Sequence, residues 1–192
     1  MADPSLDGRR VLVGVGGSVA SFKAGTVVTE LRRRGAQVRV AMTQAATQFV
    51  TPTLMRALSG HRVAVDMWDG ESVEAEHGMS HLDLAAWAEV QVVVAASADL
   101  VARLALGLAG DVLTATALSC SAPMLVAPAM ETAMWEHAAT QANVDTLAAR
   151  GARILGPVRG RLASGDEGAG RMVEAEVIVA AVEESLGTGA GS

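Results

Sequence analysis

The chain has 192 residues, 51% of them apolar and 19% charged, with 21 Asp and Glu against 15 Lys and Arg for a formal net charge of -6. That is enough to bury a full core in one domain, while an acidic chain with no Tyr, 2 Phe and 3 Trp offers neither a basic surface nor stacking aromatics to a nucleic acid. Its single cysteine, Cys120, excludes an internal disulfide or a multi-cysteine zinc site and fits a reducing, cytoplasmic setting.

The first ten residues, MADPSLDGRR, lack the apolar stretch of a signal peptide. Val11 to Val15 is a continuous apolar run that predicts a strand, Gly16-Gly17-Ser18 a tight turn, and Ala20 to Arg34 a helix stopped by Gly35. Gln37 to Met42 repeats the strand signal and Gln44 to Ser59 the helical one, with a break at Pro52. Two successive βα units imply a parallel sheet with right-handed crossovers.

Asp66 to Ser80 turns polar and reads as a loop, followed by a short helix over Leu82–Trp87 and a buried strand over Val90–Ala96. Helices are expected over Ala98–Gly107 and Asp111–Ser119, then a strand over Met124–Ala127. The uncharged stretch from Val112 to Met130 is not read as a membrane span, because Pro123, Pro128, Ser119 and Ser121 interrupt it. A helix should run from beyond Met130 to Arg150, and a last strand over Arg153–Leu155. Gly156 to Gly170, with five Gly and one Pro in fifteen residues, reads as a long loop or flap. A helix over Met172–Leu186 closes the domain, and the tail 187–192, GTGAGS, is expected to be disordered. The chain therefore reads as one α/β domain, 1–186, with no internal repeat. Its high apolarity suggests that subunits bury further surface against one another.

The turn Gly14-Val15-Gly16-Gly17-Ser18-Val19-Ala20 aims backbone N–H groups and a hydroxyl from a helix N-terminus, where a phosphate is stabilised. A dinucleotide fingerprint would need Gly where Val19 stands, and an acidic residue after the second strand, which instead ends Ala41-Met42-Thr43. A mononucleotide phosphate fits better than NAD. Ser18 and Thr43 both lie at carboxyl ends of predicted strands and converge on one crevice, although such a turn can also serve only to join a strand to a helix.

Four further runs carry a resemblance: Met79-Ser80-His81-Leu82-Asp83-Leu84-Ala85-Ala86-Trp87-Ala88, Ala95-Ala96-Ser97-Ala98-Asp99-Leu100, Pro128-Ala129-Met130-Glu131-Thr132-Ala133-Met134-Trp135, and Leu162-Ala163-Ser164-Gly165-Asp166-Glu167-Gly168-Ala169-Gly170-Arg171-Met172. In order and spacing, from Arg10 to Ala181, they resemble the homo-oligomeric flavin-containing cysteine decarboxylases. The resemblance implies a flavodoxin-like, Rossmann-like three-layer fold and assembly through trimers, often to a dodecamer. It also implies FMN, in preference to FAD, bound between subunits. It implies a chemistry as well: oxidation of a cysteine side chain to a thioaldehyde, whose C–S double bond accepts the electrons released as CO₂ leaves, giving an enethiol.

Residue roles follow from the same resemblance. His81 corresponds to the catalytic histidine, for proton transfer or carboxylate positioning; the plain alternative is a histidine satisfied at a helix start. His77, four residues earlier, has a metal-like spacing, but with Gly78 between them and no HExxH no metal site is expected. Gly17, Ser18, Val19, Thr43, Phe49, Ser97, Ala98, Asp99, Leu100 and Met130 are the expected flavin contacts. Phe49 would otherwise be core and Asp99 a helix cap. Met134 and Trp135 read mainly as packing and interface residues, and Cys120 as a core residue. Arg161 and Arg171 are either receptors for a substrate carboxylate or solvated loop arginines.

Two positions depart from the family pattern. Glu131 stands where an Asn is usual, so it is protonated, or paired with a cation, or the substrate is held differently; it also suits the start of the following helix. Ser164 stands where the phosphopantothenoylcysteine enzymes carry a flap Cys that helps re-reduce the enethiol, and a hydroxyl is a far poorer acid than a thiol. Release of the enethiol is therefore expected. That favours oxidative decarboxylation of the C-terminal cysteine of a ribosomally made precursor peptide. The alternatives are phosphopantothenoylcysteine decarboxylation in coenzyme A synthesis and, outside catalysis, a lapsed flavin-binding regulatory subunit. A prenyl-transferring flavoprotein fits the runs around His81 and Pro128 less well.

Overall fold

The computed structural model describes residues 5–68 and 79–187. His77 and the reading of its spacing, most of the expected 66–80 loop, and the tail beyond Gly187 lie outside the described residues.

Six strands form one parallel sheet: β1 Arg10–Val15, β2 Gln37–Met42, β3 Val63–Ala64, β4 Val90–Ala96, β5 Met124–Pro128 and β6 Arg153–Ile154, in the order β3-β2-β1-β4-β5-β6. β4 is buried along its whole length, as a strand covered on both faces must be, and its VQVVVAA sequence supplies apolar side chains to each. The chain winds outward from β1 to β3, then returns to place β4 on the other side of β1. The crevice between the carboxyl ends of β1 and β4 is thus the topological switch point, where ligands of such sheets bind.

Helices cover both faces. On one lie α1 Ala24–Arg33, α2 Pro52–Ser59 and α8 Ala175–Gly187, packed on Val11, Val13 and Val15. On the other lie α3 Ser80–Trp87, α4 Ala98–Leu106, α5 Val112–Ser119 and α7 Ala138–Ala149, around Leu12, Val93 and Val126. α1 buries Val27, Val28 and Leu31 completely, each stabilising the fold by about 1.5–3 kcal/mol. The short α6, Thr132–Trp135, completes the set.

Three expected helices differ in detail. The first begins as a 3-10 turn over Val19–Lys23 before α1, because Ser18 and Ser21 close a capping box there. The second is a 3-10 turn over Ala46–Gln48 and then α2, whose Pro52 sits in the first turn under a Thr51 cap. The third divides into α6 and α7, with the His137 imidazole accepting from Ala139 N–H at the break. Strand β3, two residues long, was not foreseen.

Gly156 to Gly170 is not a loop. It contains β7 Val158–Arg161 and β8 Glu167–Arg171, an antiparallel hairpin whose tip is 162–166. The glycines that mask its alternation are what bring it against the body: Gly170 has φ 143°, and a Cβ there would collide with the Met130 carbonyl. Met130 N–H donates to Gly170 C=O at 3.0 Å, fixing the base of the hairpin.

Candidate active site

Ser18, Thr43 and Ser97 follow β1, β2 and β4 respectively, Ser18 three residues on and the others directly, and each hydroxyl is engaged in the same way. Ser18 Oγ accepts from Ala20 N–H at 3.3 Å, Thr43 Oγ1 from Ala46 N–H at 3.1 Å and Ser97 Oγ from Leu100 N–H at 3.3 Å. Each is thereby oriented as an acceptor, and among the described residues none donates its own proton. Three O–H donors thus remain free around one turn. Gly17 lines a cavity with each of them, and a Cβ there would run into that of Ala45. Ser97 rather than Asp99 caps α4, so the cap role considered for Asp99 falls to its neighbour.

Two cavities meet at Gly17 and Ser97. The larger, about 690 Å³, is walled by apolar groups of which Val19, Phe22, Phe49 and Met134 are all substantially exposed. Phe49 is therefore a cleft residue and not core. The smaller, about 220 Å³, is the more polar of the two and is lined by Thr43, Asp99 and Leu100, with the Arg103–Asp111 ion pair (2.8 Å) on its wall. An apolar cleft joined at Gly17 and Ser97 to a smaller recess, with hydroxyl donors at the junction, fits a flavin mononucleotide: ring in the cleft, phosphate at the junction.

Of the expected cofactor contacts, Gly17, Ser18, Val19, Phe49, Ser97 and Met130 line the larger cavity, and Thr43, Asp99 and Leu100 the smaller. Ala98 lines neither. Glu131 lines the larger cavity, but its carboxylate is taken up by the flap: Oε2 accepts from Ser164 Oγ at 3.0 Å and Oε1 from Ser164 N–H at 3.3 Å. It occupies the N-cap position of α6 without capping it through its side chain.

His81 lines neither cavity. It lies at the start of α3, which packs on α5, and its Nδ1 is buried with no hydrogen-bond partner among the described residues. Because α3 leads into the start of β4, its first turn lies at the same end of the sheet as the cleft, but beneath the opposite helical layer.

Sequence reading missed Phe22, Lys23, Leu162 and Ala163, which also line the larger cavity. Val19 and Phe22, three apart just after the turn, were the available signal. Lys23 and Arg171 both pair with Glu174, Lys23 at 2.9 Å, and the hydrogen bond from Lys23 is the main reason the Glu174 carboxyl titrates below its ordinary range. Cys120 is half-buried at the end of α5 and not in the core. Its thiol donates to Ala85 C=O at 3.4 Å, and burial pushes its pKa up.

A doubly wound parallel sheet with its cleft at the switch point places the chain among the flavodoxin-like α/β proteins. Within that class it matches the Flavoprotein family over residues 2–187 and belongs to it. It is 42% identical over 180 residues to the coenzyme A biosynthesis bifunctional protein CoaBC of Vibrio vulnificus, covering 94% of this chain and 44% of that one. It is also 46% identical over 178 residues to CoaBC of Mycobacterium bovis, covering 93% and 41%. The chain spans less than half the length of these curated relatives. Among solved structures it superimposes on the FMN-dependent cysteine decarboxylase SpaF with TM-score 0.82 and 33% identity, covering 97% of this chain and 99% of that one. A cysteine-to-serine variant of PPC decarboxylase complexed with pantothenoylaminoethenethiol gives TM-score 0.82 and 30% identity, with 94% and 99% covered. Among the described residues no helix is long and apolar enough to cross a membrane, and no cluster could hold a metal ion.

Proposed function

We propose that this chain is an FMN-dependent decarboxylase of a cysteine bearing a free carboxylate, and that it releases the enethiol. The observation that carries this reading is the set of three hydroxyls, Ser18, Thr43 and Ser97, with undonated protons where an apolar cleft bordered by the 158–171 hairpin meets a smaller recess at Gly17 and Ser97. Those hydroxyls and the N–H groups of the turn would hold the phosphate; Val19, Phe49 and Met130 would flank the ring. When bound, the flavin would supply the two-electron acceptor that lets the sulfur-bearing carbon take up the electrons of the departing carboxylate, and an external oxidant such as dioxygen would take those two electrons from it between turnovers.

The chain's own groups do the rest. The hairpin lends the cleft wall Leu162 and Ala163, apolar groups that would limit water beside a bound ring. Lys23, Arg161 and Arg171 on the cleft wall attract an anionic substrate. Ser164, a hydroxyl committed to Glu131, offers no thiol to return electrons to the product. His81, with its unpartnered Nδ1 beneath the other layer, is assigned the proton-transfer role from a neighbouring copy in a trimer-based, dodecameric assembly.

The relatives named for coenzyme A biosynthesis and the PPC decarboxylase structure favour phosphopantothenoylcysteine as substrate over the peptide expected from the sequence. The peptide reading, a precursor ending in cysteine, keeps specific support from Ser164 and from the end-to-end match with SpaF. Incubating the purified yellow protein with phosphopantothenoylcysteine and with Cys-ending peptides decides between them. The true substrate loses the mass of CO₂ plus two hydrogens. A product lacking CO₂ alone would remove the enethiol claim, and a colourless protein that takes up no flavin would remove the function.

A further inference from the structure

A cleft that admits a carboxylate needs a cation not already neutralised by the protein. Lys23 and Arg171 share the Glu174 carboxylate, one on each oxygen. Arg161, the last residue of β7, faces the same cleft and has no ion pair among the described residues, although Glu167 lies opposite it in the ladder. Residue 131 cannot be the receptor, because a carboxylate offers no donor to another carboxylate, and its oxygens face Ser164.

That contact fixes Arg161. The hairpin tip is a closed unit, with Leu162 N–H donating to Asp166 C=O at 2.8 Å and Gly165 N–H to Leu162 C=O at 3.1 Å. Asp166 N–H further reaches Ser164 Oγ at 3.4 Å. A tip so tied moves as one piece, and the only side chain of the body that holds Ser164 among the described residues is Glu131.

We propose that Arg161 is the residue that binds the substrate's carboxylate, and that Glu131 is a positioning residue which latches the hairpin tip through Ser164 and so keeps Arg161 over the cleft. This rests on the decarboxylase reading for the identity of the ligand. It also explains the unusual acid at position 131: its negative charge is spent inward on the flap while a cation three residues from Ser164 takes its place at the substrate.

The test compares two ligands of the FMN-loaded protein, a cysteine-ended substrate analogue and its cysteamine-ended counterpart, which lacks the carboxylate. Binding is followed by titration of the flavin absorbance or by calorimetry. Arg161→Gln should weaken the cysteine-ended ligand by about tenfold and the cysteamine-ended one by less than about twofold, with Arg161→Lys between. Glu131→Ala and Ser164→Ala should each reproduce part of that selective loss and speed amide exchange across 160–168. The double variant should lose no more than the worse single one, since both remove one contact. In turnover the loss should appear chiefly as a raised KM for the cysteine-ended substrate, larger than the accompanying fall in kcat. Equal weakening of both ligands by Arg161→Gln, or multiplicative losses in the double variant, would overturn the proposal. Should Glu131→Ala fail to fold, Ser164→Ala probes the same contact from the other side. A protein that binds both ligands but turns over neither sinks the decarboxylase reading while the ligand comparison still decides this one.

Discussion

Ala95 has φ 57°, in the left-handed region that a side chain rarely adopts, and it is wholly buried. It is the bulged residue of β4, where the register with β5 slips between Val94 and Ala96. Its N–H leaves the sheet and donates to Met172 Sδ at 3.3 Å, so a sulfur on the far side of the hairpin satisfies a main-chain group beside the cleft. The bulge is what turns the chain outward to Ser97. Met172→Leu preserves volume, and such swaps usually cost under about 1.5 kcal/mol. Here it also strands a buried N–H, so a loss of about 1–3 kcal/mol is expected in urea unfolding, and a loss near zero would show that the sulfur contact contributes nothing.

At the level of elements, the hairpin is joined to the body by Met130 and Gly170 at its base, Glu131 and Ser164 at its tip, and Lys23, Glu174 and Arg171 at its exit. The last is pH-sensitive. The folded Glu174 carboxyl is held below its ordinary value, chiefly by the Lys23 hydrogen bond, so its contribution is complete above about pH 4.3 and fades as pH falls through the lowered value. Melting temperatures taken from pH 6 to pH 3 should therefore drop more for the native chain than for Glu174→Gln; parallel curves would refute this.

The βα alternation was plain in the sequence because buried parallel strands read as apolar Val-rich runs, and Gly17, Ser18 and Thr43 were legible beyond the carboxyl ends of those strands, whereas Ser97 was named through the family resemblance. The hairpin was hidden for the opposite reason: its inward positions 168 and 170 are glycines, which carry no hydrophobic alternation. The Glu131–Ser164 contact joins residues 33 apart, beyond the reach of any local pattern. Neither the placement of His81 outside the walls of both cavities nor the exposure of Phe49 follows from spacing, because both depend on which helical layer each segment joins.

For the molecule as a whole, the apolar surface left open is large for a lone subunit. Leu108 and Leu118 are 50% and 62% exposed and line a groove of about 480 Å³ beside α4, α5 and α7. Sedimentation is expected to give a multiple of the single-chain mass, and Leu118→Glu to shift that distribution downward. A native chain that sediments alone at micromolar concentration would contradict the assembly proposed for His81.

How such copies can meet is restricted by the sheet's margins. β3 and β6 are two residues long, so each flank offers only a rung or two of unpaired peptide groups, too few to template a visiting strand. Extension of the six-stranded sheet is thereby disfavoured, both for orderly assembly and for fibrous misassociation, and contacts between copies are left to the helical layers, the 158–171 hairpin and the loops around the cleft.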